Sequence, residues 1–136
     1  MNTDMDSERR QRRSENKEPA ITFQLEHIHR EFGLHAIVVG NSDGYLVAGS
    51  RNDGTDDAVA AYVTAIGTAS PDRRRVLINK LYDEQYSKQP NLELRVREFR
   101  IGGERAYLGM LGSPRANFAH AGERAVSGVQ RIYQTA

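Results

Sequence analysis

Residues 34–50 read LHAIVVGNSDGYLVAGS, and this stretch decides the fold class. The run 34–40 (LHAIVVG) has a β-branched centre, the mark of a largely buried strand. Asn41-Ser42-Asp43-Gly44 is turn chemistry, because Asp tolerates the turn and Gly supplies positive φ. Residues 45–50 (YLVAGS) return as a second strand. The whole stretch predicts a β-hairpin.

Upstream, Pro19 suits a first helical position. Ile21, Leu25, Ile28 and Phe32 follow on one helical face, and Gly33 ends the helix. Downstream, residues 51–54 form a polar loop, and Thr55 or Asp56 is placed to cap a helix over 57–70 (DAVAAYVTAIGTAS). Ala58, Tyr62, Ala65, Ile66 and Ala69 share one face of it. A second line runs through Ala60, Thr64 and Gly67, with Thr68 beside it. Its side chains are small enough to admit another backbone, either the underlying sheet or the same helix of a second subunit.

Pro71 interrupts, and Leu77, Ile78, Leu81 and Tyr82 then predict a further helix over 72–86. Arg73, Arg74 and Arg75 fall in its first turn, where cations oppose the helix dipole. They read either as a solvated end or as contacts for an acidic partner. After Pro90, Leu92, Leu94 and Val96 alternate with Glu93, Arg95 and Arg97 as in a half-buried strand. The apolar parity then shifts to Phe99 and Ile101, which implies a bulge near Arg97-Glu98 or cover on both faces. Gly102-Gly103 is a two-residue hairpin turn, and residues 105–112 form a strand apolar on both sides. Ser113 and Pro114 are expected to open a last helix over 114–134, with Phe118, Ala121, Ala125, Val129 and Ile132 on its buried face. The expected fold is α+β: an antiparallel, five-stranded type of sheet with helices on both faces.

With 136 residues and 38% hydrophobic side chains, the chain fits one domain with one modest core. Residues 1–18 have two apolar side chains, Met1 and Met5, and as many acidic as basic residues. That composition predicts a disordered charged tail before a domain over 19–136. Arg9, Arg10, Arg12 and Arg13 offer a docking arm as the alternative, but a balanced tail is a poor polyanion binder. The net charge of +1 likewise speaks against a nucleic-acid partner. With no cysteine, disulfides and thiolate chemistry are excluded. No run approaches the roughly 20 apolar residues of a membrane span, nor is there a signal peptide's apolar run, so a cytoplasmic location is expected.

Motifs of chemistry are missing from the sequence: there is no GxxxxGK[ST], no GxGxxG and no GxSxG. Gly40, Gly44, Gly49 and Gly54 read as strand-end and turn glycines. His27 and His29 point away from each other on a helix, and His35 and His120 have no ligand spacing around them. Ser42, Ser50, Ser70, Ser113 and Ser127 lie at turns, helix ends or a polar helix face, with no positioned base expected. Neither catalysis nor a metal or cofactor is expected of this chain.

The order of elements, together with Gly33-Leu34-His35-Ala36-Ile37-Val38-Val39, Ser42-Asp43-Gly44 and Tyr45-Leu46-Val47-Ala48, resembles the Roadblock/dynein light chain domain over residues 20–134. The stretch 71–91 is longer than that family's usual connection, and His35 stands where the family has a glycine. The resemblance implies a homodimer whose sheets join edge to edge with the two central helices side by side. It also implies a Ras-like small GTPase as partner, sometimes activated by the dimer. On that reading Ala60, Thr64, Gly67, Thr68, Arg73, Arg74, Arg75, Val96 and Phe99 are candidate dimer or partner contacts. A profilin- or PAS-like small-molecule sensor is the alternative of another class.

Overall fold

The computed structural model describes residues 3–51, 53–87 and 91–134, with side chains from Glu18 onward. The elements are α1 (Thr3–Phe32), β1 (Ala36–Asn41), β2 (Leu46–Gly49), α2 (Gly54–Thr68), α3 (Pro71–Gln85), β3 (Glu93–Ile101), β4 (Glu104–Gly112) and α4 (Phe118–Gln134). The strands form an antiparallel sheet in the order β2-β1-β4-β3. Its four strands correct the expected five. The long connection after α2 folds as α3, and β3 and β4 are two nine-residue strands of a single hairpin.

Helices cover both faces. On one, Ile21, Leu25 and Ile28 of α1 and Ala121, Ala125 and Val129 of α4 pack on Ile37, Val39, Leu108 and Met110. On the other, Val59, Val63 and Ile66 of α2 and Leu77 and Leu81 of α3 pack on Ala36, Val38, Tyr107 and Leu111. The central strands are therefore apolar on both sides, as strands under two helical layers must be.

Several boundaries differ from expectation, each for a local reason. The backbone is helical from Thr3, with Pro19 inside α1, where a helix start at Pro19 is expected. Residues 3–18 hold no glycine or proline and are rich in Arg and Glu, both strong helix formers. Asp53 caps α2 by accepting from the Thr55 amide, earlier in the chain than expected. Pro71 opens α3 at its first turn behind the Ser70 cap. The last helix starts at Phe118 because Ser113 Oγ accepts from Arg115 N in a separate turn, and Asn117 Oδ1 accepts from His120 N to cap α4.

β3 has no bulge. Its register against β4 is continuous from Glu93↔Gly112 to Ile101↔Glu104, across a turn in which Gly102 and Gly103 both have positive φ (58° and 85°). The parity shift has the other cause: Leu94 and Val96 pack under α2 and α3, whereas Phe99 and Ile101 enter the α1/α4 core. The sheet's irregularity lies between β1 and β2, where Val39 pairs with Ala48 and Gly40 with Leu46, leaving Val47 over.

Candidate interaction surface

The small-residue line of α2 turns inward. Ala60 is 0% exposed and Thr64 is 6% exposed. Thr64 Oγ1 donates to the Asn41 carbonyl at 2.8 Å. Its own sheet supplies the close approach. A Cβ on Gly40 would come within 2.7 Å of Thr64 Oγ1, and one on Gly67 within 2.4 Å of Tyr107 Cδ1. Of the two backbones that Ala60, Thr64 and Gly67 could admit, the chain's own sheet lies against them here. Thr68 beside them is exposed, and its hydroxyl bonds back to the carbonyls of Thr64 and Ala65.

The seam continues along α2. A Cβ on Gly49 would meet Asp56, and one on Gly109 would meet Val63. Gly40 and Gly49 are therefore required by helix packing and not only by strand-end geometry. A line of small residues cannot say which backbone it admits, so the sequence alone left this open.

Arg73, Arg74 and Arg75 are all exposed on the first turn of α3. They divide by role. Arg74 Nε donates to the Ile66 carbonyl at 3.1 Å, closing the C-terminal end of α2, where a cation also suits the helix dipole. Helix-end chemistry thus does explain this one arginine, through the neighbouring helix. Arg73 and Arg75 have no ion pair among the described residues, and Val76 beside them is 53% exposed.

Val96 and Phe99 lie on β3, the open margin of the sheet. Val96 is half-buried against the α2/α3 layer, and Phe99 is buried in the opposite core. Open grooves flank this strand. One of about 470 Å³ runs between Arg95, Arg97 and the start of α4 at Phe118; another of about 330 Å³ lies between Val96, Ile78 and Arg74.

One pairing escaped the sequence reading because its members are 21 positions apart: His29 Nδ1 and Ser50 Oγ lie at 2.7 Å. Burial, with the nearby Arg51 charge, holds the His29 pKa below its ordinary value, and its Nδ1 shares a hydrogen bond with the Ser50 hydroxyl. Ser50 Oγ in turn accepts from the Ile37 amide at 3.0 Å. The hydroxyl is thereby committed to joining α1, β1 and the loop after β2. His35 is similarly structural, meeting the Tyr86 ring edge-on with Arg51 beside it. Among the described residues no group of three His, Asp or Glu side chains is placed to hold a metal ion, and no helix is long and apolar enough to cross a membrane.

No protein-family model matches the sequence, and no curated protein matches it. Solved structures do match the fold. The gliding protein MglB from Thermus thermophilus superposes with a TM-score of 0.56 at 20% identity, over 88% of this chain and 93% of that one. MglB from Myxococcus xanthus gives 0.51 at 10% identity, over 87% and 90%. A Roadblock/LC7 domain from Streptomyces avermitilis gives 0.55 at 14% identity, over 83% and 94%. A four-stranded antiparallel sheet between two helical layers, matched along nearly the whole length of these structures, makes this chain a Roadblock-like domain in its fold.

Proposed function

We propose that this chain is a non-catalytic, homodimeric regulator or scaffold of the cytoplasm that docks a Ras-like small GTPase and at most activates the GTPase's own hydrolysis. The fold is shared with MglB structures, one of which is described as a tetrameric arrangement. The observation that carries the docking reading is the outer corner of α3. There Arg73, Arg75 and the 53%-exposed Val76 stand together, and neither arginine has an ion pair among the described residues. Arginines flanking an exposed apolar side chain suit a partner surface with acidic groups around an apolar patch. The homodimer in turn forms through the open β3 margin.

Light scattering at high concentration is expected to give twice the 15.3 kDa chain mass. Purified Ras-like GTPases of the same organism, loaded with GDP or a GTP analogue, are expected to include one that the chain retains. The double variant Arg73→Glu/Arg75→Glu is expected to lose that retention while keeping its thermal midpoint. If no GTPase is retained in either nucleotide state, the reading fails.

A further inference from the structure

The helical layer of α1 and α4 covers its face of the sheet only in part. Arg95, Arg97, Phe99 and Ile101 are alternate residues of β3 and share that face. Phe99 and Ile101 are buried beneath the layer, whereas Arg95 and Arg97 are exposed where it stops short. The space left open is the groove of about 470 Å³ between these two arginines and the start of α4. Met110, opposite Arg95 in register, together with Ala116, Phe118, Ala119 and Gly122 makes the rest of its lining largely apolar. Among the described residues no carboxylate lines it. Glu93 beside it pairs with Arg95 at 2.7 Å, and Arg97 has no ion pair among the described residues. Arg95 also lies over the Phe118 ring, 5.7 Å from guanidinium carbon to ring centroid. The first turn of α4 adds the positive end of its dipole and holds no acidic side chain.

We infer that this groove docks an acidic peptide segment of a partner protein, with carboxylates on Arg95 and Arg97 and an apolar side chain between them against Met110, Ala116 and Ala119. The charge here is one-sided, although the whole chain is nearly neutral at a formal net charge of +1. The groove therefore selects sign locally. Guanidiniums pair with carboxylates through two bonds at once and never lose their proton, which suits recognition of an acidic chain at a surface. The groove has the volume of a ligand site, but it is open, and neither of its arginines is buried. A compact ion gains nothing from an apolar lining, whereas a peptide uses both the charge and the apolar contact. The groove lies on the α1/α4 face, and the corner formed by Arg73, Arg75 and Val76 stands on α3 in the opposite layer. Its lining comes from the face of the sheet and from α4, so it does not depend on the homodimer. One chain can thus hold two different proteins at once.

The probe is a short fluorescein-labelled peptide with one phenylalanine between two pairs of glutamates, titrated with the full chain and followed by anisotropy. A second peptide carries lysines in place of the glutamates, and a third carries alanine in place of the phenylalanine. The acidic peptide is expected to bind saturably and the lysine peptide not to bind. Arg95→Glu/Arg97→Glu, at two exposed positions, is expected to weaken the acidic peptide at least about tenfold and to gain the lysine peptide. Ala119→Trp leaves both arginines in place and fills the groove from an exposed position on α4. It is expected to weaken the acidic peptide about tenfold, with the thermal midpoint of both variants unchanged. Arg73→Glu/Arg75→Glu is expected to bind the peptide as the wild type does, which separates this groove from the docking of a GTPase. Unchanged binding by Ala119→Trp would reduce the attraction to unspecific surface charge and overturn the inference. Equal binding of the alanine peptide, displacement by an equal concentration of inorganic phosphate, or no saturable binding by the wild-type chain would overturn it as well.

Discussion

The Tyr107 ring fills the space that a side chain at Gly67 would occupy, with Cδ1 2.4 Å from where a Cβ would be built. Tyr107 is 2% exposed and central in the sheet, so the ring has nowhere to go. Gly67→Ala gains roughly 1 kcal/mol of helix propensity but incurs overpacking of about 1–3 kcal/mol. The expected outcome is a lower urea midpoint. Gly54→Ala, at the open start of α2 with nothing within 4 Å, is expected to hold or raise it. A more stable Gly67→Ala would show that α2 does not lie on Tyr107.

Thr64→Val keeps the shape of the side chain and deletes its bond to the Asn41 carbonyl. Asn41 also anchors the hairpin turn, its Oδ1 accepting from the Asp43 and Tyr45 amides. A loss of about 1 kcal/mol is expected from denaturant unfolding. Faster amide exchange is expected through 41–45.

Arg74 and Arg73 are neighbours in sequence with different work to do. Arg74→Ala removes the donor to the Ile66 carbonyl and is expected to cost about 0.5–1 kcal/mol of stability. Arg73→Ala, whose side chain makes no ion pair among the described residues, is expected to leave unfolding unchanged. Its effect belongs to partner retention. Equal thermal shifts in the two variants would refute that division.

Acid should weaken the fold through two histidines. Burial, followed by the Arg51 charge, lowers the pKa of both His29 and His35 from the ordinary 6.5. The unfolded chain therefore takes up protons first, and stability falls as pH drops from about 7 through 6.5 toward the lowered folded values. The double variant His29→Gln/His35→Gln is expected to flatten the slope of the urea midpoint between about pH 7.5 and 5.5. An unaltered slope would assign the acid sensitivity to other groups.

Tyr86 is 6% exposed, and its hydroxyl has no hydrogen-bond partner among the described residues. Burial pushes its pKa up to about 12. Tyr86→Phe removes a polar group that lost its water without gaining a partner, so stability is expected to hold or rise by about 1 kcal/mol. Tyr82→Phe is expected to lower it, since Tyr82 does hold a bond to Leu94. The two substitutions thus have opposite expected signs at neighbouring turns of the chain, and thermal unfolding of both variants checks them together.

The hairpins, the helical faces and the Gly102-Gly103 turn were legible because each depends on side-chain period or on a glycine's φ, both local properties. The α4 start was misplaced because Ser113-Pro114 has the chemistry of a helix start, and only the packing of Phe118 in the core decides between that turn and Asn117. The parity shift in β3 was equally visible, yet a bulge and a change of covering layer write the same pattern. The His29–Ser50 and Tyr82–Leu94 bonds join residues remote in sequence, so no spacing announces them.

By itself, then, the amino-acid order determined the kinds of element and their succession. Period, capping and turn preference act over a few residues, and the chain expresses them wherever it folds. What lies against the small-residue line of α2, which arginine closes a neighbouring helix, and which side chains of β3 stay uncovered were decided by the tertiary structure. These depend on distances between elements, set by how two helical layers close over one sheet. The same Ala60, Thr64 and Gly67 would serve either a sheet or a second helix. Glycines at 40 and 109 in the strands beneath let α2 come down onto its own sheet, a closeness that only the packed layers reveal.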